Sequence, residues 1–134
     1  MRVLVTDASV IIELLFRTQR GMLLGARIAA ADDDVHIPAV CDVEVLDGIR
    51  RTMLKGGIGQ THALQALDVY RDLPVTRHGH TDLITRAFGL RFNFTAYDAM
   101  YVALAELLEG TLVTADRSLA RAVVQNTRVR VEEI

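Results

Sequence analysis

A chain of 134 residues is long enough to bury a core without disulfides or a structural metal. Of its residues 51% are hydrophobic but only 5% are aromatic, so the core must be aliphatic, which suits a buried parallel sheet under helices. A net charge of −2 gives no global nucleic-acid signal, although every basic residue but Lys55 is arginine, and the single Cys41 excludes an internal disulfide and a cysteine-based zinc site.

The N-terminus enters a strand-like run at once, without a signal-peptide n-region or cleavage site, and no apolar run is long enough to span a bilayer. This predicts a cytoplasmic protein. Val3-Leu4-Val5 is wholly apolar, as a central parallel strand requires. Ser9 is the expected N-cap of a helix through about Phe16. A second helix is expected over Met22 to Ala31, and Asp32-Asp33-Asp34 reads as a solvated turn. Val35-His36-Ile37 is the next strand, closed by Pro38.

A helix over roughly Cys41 to Leu54 carries Val45, Ile49 and Met53 on one stripe, and Gly56-Gly57 stops it. The apolar neighbours of Cys41 predict a buried, inert thiol. Gln60 to Leu73 reads as a helix, Pro74-Val75-Thr76 as a short strand and Asp82 to Leu90 as a further helix. Thr95 opens a long helix to about Glu109, ended by Gly110. Thr111 to Thr114 is a buried strand, Ser118 to Gln125 a helix, and Val129 and Val131 mark a final edge strand. With no repeat or linker, residues 1–134 read as one domain: a three-layer α/β/α sandwich around a mostly parallel sheet.

Four acids fall where such folds build sites. Asp7 follows the first strand and Asp116 a later one, while Glu44 and Asp98 lie in the first turns of helices. Strand ends and the helix starts that follow them share one sheet edge, so all four carboxylates can converge. Singly, each has a plain alternative. Asp98 has capping-box spacing from Thr95, Glu44 fits a helix surface, Asp116 an N-cap and Asp7 a turn. Together they would repel one another unless cations neutralise them. Mg²⁺ or Mn²⁺ suits an all-oxygen cluster, and ions so held suit phosphate-ester chemistry.

The blocks around Asp7 (Val3 to Ser9), Asp98 (Thr95 to Ala105) and Asp116 (Leu112 to Asp116), with Glu44 between them, resemble PIN-domain proteins, and VapC toxins of toxin–antitoxin pairs most closely. The resemblance implies an Mg²⁺- or Mn²⁺-dependent endoribonuclease that leaves 5′-phosphates. Its catalytic and metal-binding acids would be Asp7, Glu44, Asp98 and Asp116, with Ser9 and Thr114 in orienting roles. It also implies RNA as substrate, a cognate antitoxin as partner, and a homodimer.

Other features are set aside. His78 and His80 lack the further ligands zinc needs and read as solvated loop residues; His36 and His62 are isolated. Arg50, Arg51 and Lys55 suit a helix C-terminus or an RNA backbone. Gly21 and Gly25 have membrane-packing spacing in a segment too short and polar to span. Two other classes compete: a catalytically inactive PIN-like module that binds RNA or protein, and a phospho-acceptor receiver domain. The receiver wants paired acids after the first strand and a late lysine, which this chain lacks.

Overall fold

A computed structural model describes all residues from Met1 to Ile134. The elements run β1 (Val3–Thr6), α1 (Ala8–Leu15), α2 (Gln19–Ala31), β2 (Asp34–Pro38), α3 (Val40–Leu54), α4 (Gln60–Asp72), β3 (Thr76–His78), a 3₁₀ turn (Thr81–Leu83), α5 (Ile84–Gly89), α6 (Ala96–Leu108), β4 (Thr111–Thr114), α7 (Arg117–Asn126) and β5 (Arg130–Glu133). All strand pairs are parallel, in the order β3-β2-β1-β4-β5. Right-handed crossovers then put α1 to α4 on one face and α5 to α7 on the other, the expected α/β/α sandwich.

The central strands are covered on both faces, which is why they read as unbroken apolar runs. Leu4, Val5, Leu112 and Val113 are wholly buried. Val102, Leu104 and Ala105 of α6 join Val5 and Leu112 in the main core, while Leu4 and Val113 meet Val10 and Leu24 of α1 and α2. No helix is long and apolar enough to cross a membrane.

Several boundaries differ from expectation for local reasons. Helix α2 starts three residues early because the Thr18 hydroxyl caps it, accepting from the Gly21 N–H at 3.1 Å. The acidic run is no free turn. Asp32 ends α2 in the left-handed conformation, Asp33 accepts from the Arg2 backbone N–H at 2.9 Å, and Asp34 begins β2. Strand β3 is displaced to Thr76–His78, since Pro74 has no N–H and the Val75 N–H turns back to the Leu73 carbonyl at 2.8 Å. The expected helix at Asp82 begins as the 3₁₀ turn. Strand β5 lies at the sheet edge as expected.

Gly21 has its reason in the α1–α2 contact. A Cβ there would overlap the Glu13 carbonyl oxygen, and one at Gly25 would come within 3.3 Å of Leu14. The four-apart glycines thus allow close approach of α1 and α2. Gly21→Ala should destabilise the fold by about 1–3 kcal/mol in urea unfolding, because backbone cannot yield as a side chain can. Gly79→Ala, where an added Cβ meets nothing within 4 Å, is the control and should lie within about 0.5 kcal/mol of the parent.

Candidate active site

Strand β1 sends its next residue, Asp7, into the junction with β4: the Asp7 N–H still donates to the Val113 carbonyl at 3.2 Å. Asp7, not Ser9, is the N-cap of α1. Its Oδ1 accepts from the Val10 N–H at 3.2 Å and from the Ser9 hydroxyl at 2.5 Å, and its Oδ2 accepts from the Thr114 hydroxyl. The correction follows from the helix beginning at Ala8, which frees the Ser9 oxygen to accept from the Ala115 N–H at 3.0 Å. Thr114 Oγ1 likewise accepts from the Asp116 N–H at 2.9 Å. The two hydroxyls therefore tie Asp7 to the β4–α7 turn.

Asp116 caps α7, its Oδ1 accepting from the Ser118 and Leu119 N–H groups at 2.9 and 3.1 Å. Asp98 lies in the first turn of α6, where the Thr95 hydroxyl accepts its N–H at 3.1 Å. Glu44 lies in the second turn of α3 and accepts from the Tyr101 hydroxyl at 2.7 Å. Sequence reasoning passed over Tyr101. Its position, one helical turn after Asp98 on α6, was the available signal.

Electrostatics show that the four acids share one neighbourhood. Burial raises the Asp7 carboxyl above its ordinary range against the pull of its hydrogen bonds, and the Asp116 charge adds to the rise. Burial also raises Asp98, with the charges of Asp116 and Asp7 acting in the same direction. Glu44 is raised by burial, then by Asp98 and Asp7. No arginine or lysine offsets them: every ion pair in the molecule involves other acids.

The carboxylates do not close on a point, and no three His, Cys, Asp or Glu side chains stand close enough to enclose an ion. The donor set nevertheless fits a hard divalent cation in chemistry: oxygen only, mutually repelling, and free of competing cations. These acids lie where β1 and β4 part, with α1 leaving to one face and α7 to the other. That is the crevice in which parallel α/β sheets bind ligands.

The residues set aside have structural employment. His78 is not in a loop but ends β3, and His36 is not isolated. The His36 Nδ1 and His78 Nε2 are 2.8 Å apart, and His36 Nε2 is 2.8 Å from Asp34. Burial and His36 lower the His78 pKa. His80 accepts the Val40 N–H at 2.9 Å, capping α3, and His62 packs edge-on against Phe16. Arg50 and Arg51 pair with Asp47. Cys41 is buried as expected, and burial pushes its thiol up to about 11.

Comparison with known proteins gives concordant results. The family model for the PIN domain matches residues 4–124. Ribonuclease VapC3 of Mycobacterium tuberculosis is 40% identical over 119 residues, 88% of this chain and 85% of that protein. Ribonuclease VapC12 of the same organism is 35% identical over 126 residues, covering 94% of this chain and 96% of the relative. Among solved structures, VapBC2 from Rickettsia felis bound to a promoter DNA fragment superposes with a TM-score of 0.72 at 10% identity, covering 98% of each chain. PAE2754 from Pyrobaculum aerophilum gives 0.69 at 19% identity, over 97% of this chain and 83% of that one. Identities this low speak for the shared fold alone.

The raised carboxyls make stability depend on pH with a definite sign. The folded chain keeps protons that the unfolded chain releases as pH rises through the ordinary carboxylate range, so stability falls from there up to the raised folded values. Below that window the penalty is absent. In urea unfolding with a chelator present, Asp98→Asn should be more stable than the parent at pH 7, and the gap should shrink as the medium is acidified. A gap equal at both ends would show that the shift has no part in it.

Proposed function

The chain belongs to the PIN-domain family, and on that premise we propose that it is an endoribonuclease, the toxin of a toxin–antitoxin pair, neutralised by a cognate antitoxin protein. The observation that carries the reading is the uncompensated four-acid rim at the parting of β1 and β4, in a chain 35% and 40% identical over most of its length to proteins named ribonuclease VapC. The reading makes it a cytoplasmic homodimer in which residues 1–134 act as one unit on RNA.

Asp7, Glu44, Asp98 and Asp116 are the catalytic set in this reading and would hold Mg²⁺ or Mn²⁺. A bound ion of that kind neutralises the phosphodiester, lowers the pKa of water and stabilises the leaving oxygen. The rest falls to the chain. Ser9, Thr114 and the Val10 N–H hold both oxygens of Asp7 in one orientation. Tyr101 fixes one oxygen of Glu44. The α7 cap commits Oδ1 of Asp116 and leaves Oδ2 without a protein hydrogen bond. Burial and mutual repulsion raise Glu44 and Asp98 in the ion-free chain, a cost that a bound cation would relieve.

Purified protein should cleave single-stranded RNA with Mg²⁺ or Mn²⁺, and a chelator should abolish cleavage, as should Asp7→Asn or Asp98→Asn. Cleavage that persists in both variants would sink the site assignment. A wild type that neither cleaves RNA nor inhibits growth on expression would leave a non-catalytic binding module in its place. Thr114→Val, which removes the hydroxyl from Asp7 but touches no ion, should lower the rate by about 10–100-fold. Independently of turnover, Mn²⁺ should raise the Tm of the wild type and leave that of Asp98→Asn unmoved, since binding to the folded state alone stabilises it.

A further inference from the structure

Aromatic residues are few in this chain, four Phe, three Tyr and no Trp, and their placement is uneven. Tyr70, Phe94 and Tyr101 are buried and Phe16 is half-buried. The three exposed ones all fall within residues 88–97, the segment that leads directly into Asp98: Phe88 is 66% exposed, Phe92 81% and Tyr97 59%. Between the two phenylalanines the Arg91 guanidinium lies over both rings, 4.4 Å from each centroid. Arg91 donates to the Phe88 carbonyl at 3.0 Å and pairs with no carboxylate, unlike Arg86, which grips Glu106 with two hydrogen bonds. Buried Leu90 and Phe94 pin the turn to the core between these side chains, so the exposed rings sit on a fixed base.

Exposed rings carry no advantage for folding, and a stacked guanidinium without an acid keeps donors for an anion. Rings beside a free arginine are how proteins hold single-stranded nucleic acid, the bases stacking and the cation meeting phosphate. We propose that residues 88–97 form a stacking platform for unpaired bases of single-stranded RNA next to the Asp98 edge of the active site, with Arg91 on the adjoining phosphate. The platform rests on the ribonuclease reading and adds to it the surface that would hold the unpaired bases. The unpaired Arg91 guanidinium, in a segment that runs directly into Asp98, favours RNA over a protein as occupant.

The test uses the full chain, a chelator to prevent cleavage, and a single-stranded RNA dodecamer containing 2-aminopurine, with its duplex as comparison. Wild type should bind the single strand more tightly than the duplex and shift the 2-aminopurine fluorescence on stacking. Phe92→Leu and Phe88→Leu, which keep apolar bulk but lose the ring face, should each weaken single-strand binding about tenfold. Phe92→Tyr should retain it. Arg91→Gln should flatten the dependence of log affinity on log salt by about one phosphate contact. Thermal unfolding checks that each variant folds. If wild type binds and cuts RNA while the leucine variants bind like wild type, the platform is wrong and the ribonuclease reading stands. Leucine variants that change only the oligomeric state make the patch a protein contact and overturn the proposal. A wild type that neither binds nor cuts RNA removes both.

Discussion

The Asp7 carboxylate at the junction of β1 and β4 is the constraint around which the candidate site is arranged. It is only 6% exposed, and a buried charge without a cation is costly unless its oxygens are hydrogen-bonded. Its donors come from two elements, Ser9 and Val10 on α1 and Thr114 on β4, so its oxygens are satisfied only while those elements keep their places. Ser9 and Thr114 in turn accept from the Ala115 and Asp116 N–H groups, which fixes the start of α7. One side chain thus closes the capping of α1, the end of β4 and the entry to α7. The crevice between the two diverging helices is the by-product.

What sets this region apart is that its unpaired acids lie near one another. Several arginines elsewhere are matched: Arg2 with Asp33, Arg20 with Glu13, Arg77 with Asp42, Arg86 with Glu106. The four acids of the rim have no such partner, and their charges raise one another. Residues that lower stability in this way persist where binding needs them. The rise is tempered by hydrogen bonds rather than by arginine, which keeps the carboxylates ordered without cancelling their charge.

Helix α6 links three functions through its first two turns. Asp98 lies on its first turn, Tyr101 reaches across to Glu44 on α3, and the aromatic segment feeds into its capped start at Thr95. Because α6 packs on β1, β2 and β4 through a buried face, the sheet fixes where these groups stand. The histidines belong to a different economy. His36, His78 and His80 join β2, β3 and the start of α3, holding the edge of the sheet rather than the rim.

Local order was legible because each signal acts within a few residues. Unbroken apolar runs declared β1 and β4 as central strands, and Thr95 capped α6 as expected, although the left-handed residue that ends this helix is Glu109 rather than Gly110. The motif blocks around Asp7, Asp98 and Asp116 declared the family and its parallel α/β sandwich. Boundaries shifted where a short-range signal was misjudged, as with Thr18 capping α2 and Pro74 delaying β3. What the sequence could not decide was any contact across the chain: that Thr114 bonds Asp7 over 107 residues, that Tyr101 holds Glu44 over 57, or that His78 meets His36 over 42. Those pairings depend on strand order and on which face each crossover takes, and periodicity along one element carries neither. Convergence of the four acids was inferable from topology, but which of them act on one another was decided only once β1 and β4 lie side by side.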